Sequence, residues 1–219
     1  MLFDDRHDAG RTLAPLVAAL PGLHNAIVLA LPRGGVPVAY EVARACGLPL
    51  DILTVRKLGA PGQRELALGA VASGGMVALN RGLVAAFRIS EEDLQASIDR
   101  EIEEVARLER GYREGAPPLS IEGRTAILVD DGIATGASIR AAALAVRPHA
   151  AQVIIAVPVA PLSTCRELES EAGRVLCAAT PEGFEAVSQY YRDFAPTSDE
   201  EVRTLLAEAR ALLQSPPVA

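Results

Sequence analysis

The chain has 219 residues and a formal charge of −7, from 21 Lys+Arg against 28 Asp+Glu. With 50% apolar and 22% charged residues it is too hydrophobic to be disordered, and it is long enough for one domain with its own core. The acidity argues against a general nucleic-acid surface, because neutralising phosphates needs a basic face; a compact anion could still bind at a local site.

The start, Met1-Leu2-Phe3-Asp4-Asp5-Arg6-His7-Asp8, puts charge where a signal peptide needs an apolar stretch. No apolar run reaches the ~18 residues of a membrane span. Cys46, Cys165 and Cys177 are odd in number, far apart and without a CxxC pair, so neither a disulfide framework nor a zinc site is expected. His7, His24 and His149 show no metal-ligand spacing. The expectation is a cytoplasmic protein whose reduced cysteines serve as small core residues.

In chain order, an apolar run at 26–31 leads into the turn Pro32-Arg33-Gly34-Gly35 and a helix over 37–45, stopped by Gly47 and Pro49. A second run, 50–55, ends in Arg56-Lys57. Residues 58–64 then read as a glycine- and proline-containing loop, and 66–72 with 76–79 as a hairpin about Ser73-Gly74-Gly75. A long polar loop beside a sheet edge is a candidate lid. Ser90 with Asp93 resembles a capping box, and Leu94, Ile98, Ile102, Val105 and Leu108 follow at helical spacing, to end at Gly111 or by Gly115. Apolar runs recur at 125–129, 152–157 and 174–179. Ser198 with Glu201 opens a last helix over about 199–213. Runs that are apolar throughout, rather than alternating, predict strands buried on both faces: an α/β fold with a mostly parallel twisted sheet flanked by helices.

The 18 glycines exclude the common phosphate loops. No two stand at i and i+2, so a GxGxxG fingerprint is impossible. The one G-x4-G spacing, Gly69 to Gly74, is followed by Gly75 and not Lys. GxSxG fails because Arg140 follows Ser138 by two, and HExxH is absent.

The most informative string runs from Ala126 through Val129 into Asp130-Asp131 and on to Gly132, Ile133, Ala134, Thr135, Gly136, Ala137 and Ser138. Ligands of an open parallel sheet bind beyond the carboxyl ends of its strands. Two carboxylates there are acceptor-only groups suited to the vicinal hydroxyls of a ribose. The small residues that follow let backbone N–H groups approach a phosphate at the positive end of a helix. A bare Asp-Asp-Gly is as readily a solvated turn; the longer string is what favours a site. Gly34 and Gly35 likewise allow a close backbone approach to an anion, Arg33 adds a forked cation, and Arg56, Lys57 and Arg64 would complete a basic pocket in an acidic protein. Phe184, Tyr190, Tyr191 and Phe194 cluster near the end. They either stack on a planar acceptor or anchor the C-terminal segment to the sheet.

The segment ILVDDGIATGAS resembles the PRPP-binding signature of the type I phosphoribosyltransferases. With the LPRGG turn, the VRKLG segment and a TPxxFxAVxxYYxDF-like ending, the chain is similar to a bacterial subgroup of phosphoribosyltransferase-like proteins over about residues 3 to 207. The departure is Gly132, where most members carry an apolar residue or Ser; it is expected to add backbone freedom. The resemblance implies a single domain with a core over about 13–180, a flexible loop and hairpin at 58–80, and a hood from the N-terminal segment and 180–197. It implies a Mg²⁺-dependent transfer of ribose 5-phosphate from PRPP to a nitrogen acceptor, a small molecule, and in places a homodimer; no nucleic acid and no membrane are expected as partners. By the same resemblance, Asp130 and Asp131 hold the ribose and the 132–138 loop its 5′-phosphate. Pro32, Arg33, Gly34, Gly35, Arg56, Lys57 and Arg64 face pyrophosphate, often beside a non-proline cis peptide. Of the aromatics, Phe184, Tyr190 and Tyr191 are the candidates to border the acceptor if they do not anchor the C-terminal segment. The resemblance implies that Mg²⁺ is carried mainly by PRPP, reaching Asp130 and Asp131 through water. Arg33 and Lys57 join the two acids as the expected catalytic groups. The alternative is a non-catalytic sensor of PRPP or nucleotide on the same fold. An aspartate-type phosphatase would need an acid two residues beyond its nucleophile, and neither acid has one.

Overall fold

The computed structural model describes residues 2–60 and 63–214. In chain order its elements are α1 (Arg6–Ala18), β1 (Ala26–Ala30), α2 (Gly35–Cys46), β2 (Leu50–Ile52), β3 (Val55–Ala60), β4 (Gln63–Ala72), β5 (Met76–Leu79), α3 (Arg81–Ala86), α4 (Glu91–Arg113), β6 (Thr125–Val129), α5 (Ala137–Val146), β7 (Gln152–Val159), α6 (Leu162–Ala172), β8 (Arg174–Ala179) and α7 (Asp199–Gln214).

The uniformly apolar runs form a five-stranded sheet in the order β2-β1-β6-β7-β8, every pair parallel. Both faces are covered. Val28, Ile127 and Ile154 point to α1, α2 and α7, where they meet Leu13, Val42 and Leu206. Ile27, Leu128 and Ile155 point to α5 and α6, where they meet Ile139 and Leu168. This is why the runs do not alternate: each strand buries odd and even residues alike.

The run at 50–55 does not form one strand. It divides after Ile52, and Val55 starts β3 in a separate antiparallel sheet, β3-β4-β5. Leu53 and Thr54 make the junction: Leu53 N donates to Ala30 O at 2.8 Å, and Thr54 N to Ser73 Oγ at 2.9 Å. The expected loop at 58–64 is accordingly, in its described part, the paired ends of β3 and β4; Pro61 and Gly62 lie outside the described residues. The expected hairpin about Ser73-Gly74-Gly75 is present as β4–β5. This small sheet is itself covered twice. Val55, Ala72, Met76 and Ala78 pack toward α5, and Leu58, Leu68 and Val71 pack on Ile98 and Val105 of α4.

A buried polar knot joins the two sheets. Arg113, at the end of α4, donates from Nε to Asp51 Oδ1 at 2.9 Å, from NH1 to Glu109 Oε2 at 2.7 Å and from NH2 to Ile52 O at 3.1 Å. Asp51 also accepts the amides of Ile52 and Leu119, and Glu109 accepts Ser73 Oγ. Every carboxylate thus has several donors, the condition for keeping charge in a low-dielectric interior.

Helix starts follow local rules where a side chain caps them. Asp5 caps α1 through Asp8 N, Ser90 caps α4 through Asp93 N, and Ser198 accepts Glu201 N at 3.0 Å at the start of α7. Helix α4 runs through Gly111 to Arg113, and Glu114 (φ 49°) with Gly115 (φ 86°) turns the chain away. The N-terminal segment divides between core and hood. Helix α1 packs on α2 at Gly10, where a Cβ would lie 2.6 Å from Val38 O. Residues 2–4 join the hood through their backbone, with Phe3 N donating to Tyr190 O at 3.0 Å and Arg192 N to Phe3 O at 2.9 Å.

Candidate active site at the β1–β6 crevice

The strand order reverses between β1 and β6. The chain leaves β1 through the 32–35 turn into α2 on one face, and leaves β6 through Asp130-Asp131 toward α5 on the other. A crevice at the carboxyl ends of these two strands follows from that topology. The two glycines of the first turn are steric partners of the two acids. A Cβ on Gly34 would overlap Asp131 Oδ2, and one on Gly35 would lie 2.7 Å from Val129 O and 2.9 Å from Asp130 Cα. Gly34 itself has an ordinary helical backbone (φ −60°), so it is space and not flexibility that the position requires. The Pro32–Arg33 peptide bond is cis, as the resemblance implied.

Asp130 Oδ1 accepts the Asp131 amide at 2.9 Å, and Asp131 Oδ2 accepts Arg6 Nε at 2.8 Å. Asp130 Oδ2 and Asp131 Oδ1 accept no hydrogen bond from any other described residue. Burial pushes the Asp130 carboxyl well above the usual range and the neighbouring Asp131 charge adds to it; burial raises Asp131 too, against the pull of Arg6. The pair is therefore short of donors, unlike Asp51 and Glu109.

The following loop is fixed from behind and open in front. Ile133 is buried and its amide donates to Val159 O at 2.9 Å. Thr164 Oγ1 donates to Ala134 O at 3.1 Å. Thr135 and Ser138 are both exposed. Gly136 (φ 73°) is the N-cap of α5, and no side chain caps the helix, so the N–H groups of its first turn lack a built-in acceptor. Helix α2, which starts at the facing turn, has no side-chain cap either; α6 is uncapped too, at Pro161.

Gly132 departs from the expectation. Its φ is not positive, and a Cβ there would lie 2.6 Å from Val187 Cγ1 and 3.1 Å from Val159 Cγ1. The residue provides room for the hood turn 187–190 to sit on the loop, and not backbone freedom.

The expected basic pocket is not gathered in one place. Arg33, its side chain 49% exposed, turns to the start of α7, with NH1 3.5 Å from Asp199 Oδ1. Arg56 is not at the exit of a parallel strand but on the α4 face of β3, paired with Glu101 at 2.6 Å. Lys57 follows it in the pleat and is exposed, and it lines a cavity beside α4 with Arg56, Arg100 and Glu101. The Arg64 side chain lies outside the described residues. Among the aromatics, Phe184 and Tyr190 stack on each other at 5.2 Å and are half-buried. Tyr191 is corrected from acceptor wall to core: it is 3% exposed, lies between Phe3 at 5.4 Å and Phe194 at 5.0 Å, and donates its hydroxyl to Asp131 O.

Arg6 is the site residue that the sequence did not disclose. It stands 125 positions from Asp131 and carries no local signal beyond its place in a charged N-terminus. No group of three or more His, Cys, Asp or Glu that could hold a metal occurs among the described residues. The two acids are hard oxygen donors, which suits a Mg²⁺ shared with a ligand and not one caged by protein. No helix among the described residues is long and apolar enough to cross a membrane.

Comparison with known proteins agrees with this geometry. Residues 7–195 match the phosphoribosyl transferase domain family. A protein of Mycobacterium tuberculosis H37Rv, provisionally named a phosphoribosyl transferase, is 46% identical over 209 residues, 95% of this chain and 47% of its own length; the homologue from strain CDC 1551 gives the same figures. The chain therefore spans about half the length of these curated relatives. The crystal structure of TT1426 from Thermus thermophilus superposes with a TM-score of 0.83 at 42% identity, covering 95% of this chain and 99% of that one. By its sequence, and by a crevice in which a glycine turn and an acidic pair interlock, the chain belongs to the phosphoribosyl transferase domain family.

Proposed function

We propose that the chain is a Mg²⁺-dependent phosphoribosyltransferase that moves the ribose 5-phosphate of PRPP to a nitrogen acceptor, a nucleobase-like small molecule, with release of pyrophosphate. The observation that carries this reading is the pair of free carboxylate oxygens at the end of β6, set against an uncapped helix terminus on one side and a glycine turn on the other.

In this reading Asp130 and Asp131 accept the ribose hydroxyls and fix C1′ between the two halves of the crevice. The amides of residues 134–138, with the hydroxyls of Thr135 and Ser138, bind the 5′-phosphate and supply positioning. The turn at Pro32, Arg33, Gly34 and Gly35 receives pyrophosphate, with Arg33 leaving its exposed pair with Asp199 to meet it. Such a surface pair contributes about 0–1 kcal/mol and is readily exchanged. Lys57 approaches from β3 of the small sheet, and Arg64 is the remaining cation this reading assigns to pyrophosphate. Bound Mg²⁺, held by the pyrophosphate oxygens and waters with Asp130 and Asp131 reached through water, would neutralise charge growing on the leaving group. Displacement at C1′ makes the ribose more positive while pyrophosphate departs, so fixed acids below and cations ahead favour the same transition state.

The second reading, a PRPP or nucleotide sensor without turnover, is favoured by one observation: Phe184 and Tyr190 already stack on each other, so one face of each ring is taken by the other and a planar acceptor cannot insert between them. Incubating the purified protein with PRPP, Mg²⁺ and a panel of purine and pyrimidine bases, and measuring pyrophosphate, separates the two. Acceptor-dependent release that disappears in Asp131→Asn supports the enzyme; PRPP binding with no release across the panel supports the sensor.

A further inference from the structure

Arg6 makes three contacts at once, and together they join the acid pair to the hood. Its Nε donates to Asp131 Oδ2 at 2.8 Å, its NH1 to Ala195 O in the hood at 2.7 Å, and its guanidinium carbon lies 3.9 Å from the centroid of the Phe194 ring. The residue opens α1, whose start is fixed by the Asp5 cap. The ion pair is well shielded, with side-chain exposures of 11% for Arg6 and 15% for Asp131. Beside the same oxygen stands Gly34, whose missing Cβ would overlap Asp131 Oδ2 and lie 3.2 Å from Arg6 Nε.

We propose that Arg6 is a positioning residue for ribose recognition: with Gly34 leaving the space, it holds Asp131 by Oδ2, so that Asp131 Oδ1 and Asp130 Oδ2 remain as two fixed acceptors for two vicinal hydroxyls. The inference rests on the functional reading above and adds the device that aims its acids. A carboxylate on a strand end can rotate about its side-chain bonds. A diol needs two acceptors held at one spacing. A planar fork bound at three points fixes the carboxylate in a way a flexible point charge does not. The same fork ties the acid pair to the hood, since Ala195 O and Phe194 belong to the segment that Phe3 and Tyr191 anchor.

The discriminating ligands are ribose 5-phosphate and 2-deoxyribose 5-phosphate, which share the phosphate and differ by one hydroxyl. Calorimetric titration of the intact protein should show the ribose compound bound more tightly, on the order of tenfold, the worth of one hydrogen bond to a charged group. In Arg6→Gln the preference should fall to about one through loss of ribose 5-phosphate affinity, with 2-deoxyribose 5-phosphate unchanged. Gly34→Ala reaches the same oxygen by another route and should give the same pattern. Its backbone φ of −60° is open to Ala, so it serves as the test where Arg6→Gln does not fold. A folded variant that keeps the wild-type preference, or that weakens both sugars equally, overturns the proposal. So does a wild-type protein that binds both equally while binding PRPP. Wild-type protein that binds neither sugar phosphate nor PRPP overturns the functional reading itself.

Discussion

The clusters around Arg113 and Arg6 each set one arginine beside two acids, and they end differently. Around Arg113, all three nitrogen positions of the guanidinium are used, and Asp51 and Glu109 each have further donors from backbone or Ser73. Around Arg6, the acids at 130 and 131 share one cation and one amide, and two of their oxygens accept no hydrogen bond from any other described residue. A saturated buried cluster stabilises a fold, because each charge brought out of water is matched by hydrogen bonds. An unsaturated one at the carboxyl end of a parallel strand keeps acceptors for something not part of the chain. The position of each agrees: Arg113 locks the small antiparallel sheet to β2, whereas Arg6 stands where the strand order reverses.

The contrast can be broken by mutation. Arg113→Leu should be the most damaging change, because it strands two buried acids; the expected loss is about 3–5 kcal/mol, a melting temperature lower by on the order of 10 °C, read by thermal unfolding. Unchanged stability would mean that the knot is not what joins the sheets. Gly132→Leu comes next. It forces a side chain onto Val187 and Val159 and should cost about 1–3 kcal/mol by overpacking, with the hood loosening first in hydrogen exchange at residues 187–191. Were Gly132 there for backbone freedom, the protected hood amides would not respond. Asp131→Asn should change stability by no more than about 1 kcal/mol, since it also relieves repulsion between adjacent acids, while PRPP affinity falls on the order of tenfold or more. Arg192→Ala, which removes a pair whose partners are 73% and 67% exposed, should leave both stability and binding unaltered within error.

Much of this was written in local chemistry. Residues 26–30 and 125–129 were recognisable as buried strands because both of their faces are apolar, 174–179 as a strand that proves to be the half-buried edge, and α4 and α7 because Ser90 and Ser198 cap them. The acid pair and the glycine turn stood out as a candidate site because few structural roles use two adjacent acids followed by small residues. What stayed hidden depends on distant partners. Helix α1 carries Gly10 and Pro15, both breaking signals, and only packing against α2 explains the glycine. The run at 50–55 is continuous in hydropathy, and its division between two sheets is made by contacts to Ser73 and Arg113 far along the chain. Arg56 is basic in either setting; only the pleat shows that it faces α4 and Glu101. Tyr191 resembles an exposed aromatic until Phe3 and Phe194 close on it.

The central claim is that the β1–β6 crevice grips a ribose phosphate through the acids at 130 and 131 and the amides after them. Calorimetric titration of PRPP into the purified protein with Mg²⁺ present tests it most directly. A saturable heat in the wild type, weakened on the order of tenfold or more in Asp131→Asn, is the predicted result; no heat with the wild-type protein, or the same heat with both proteins, would contradict it.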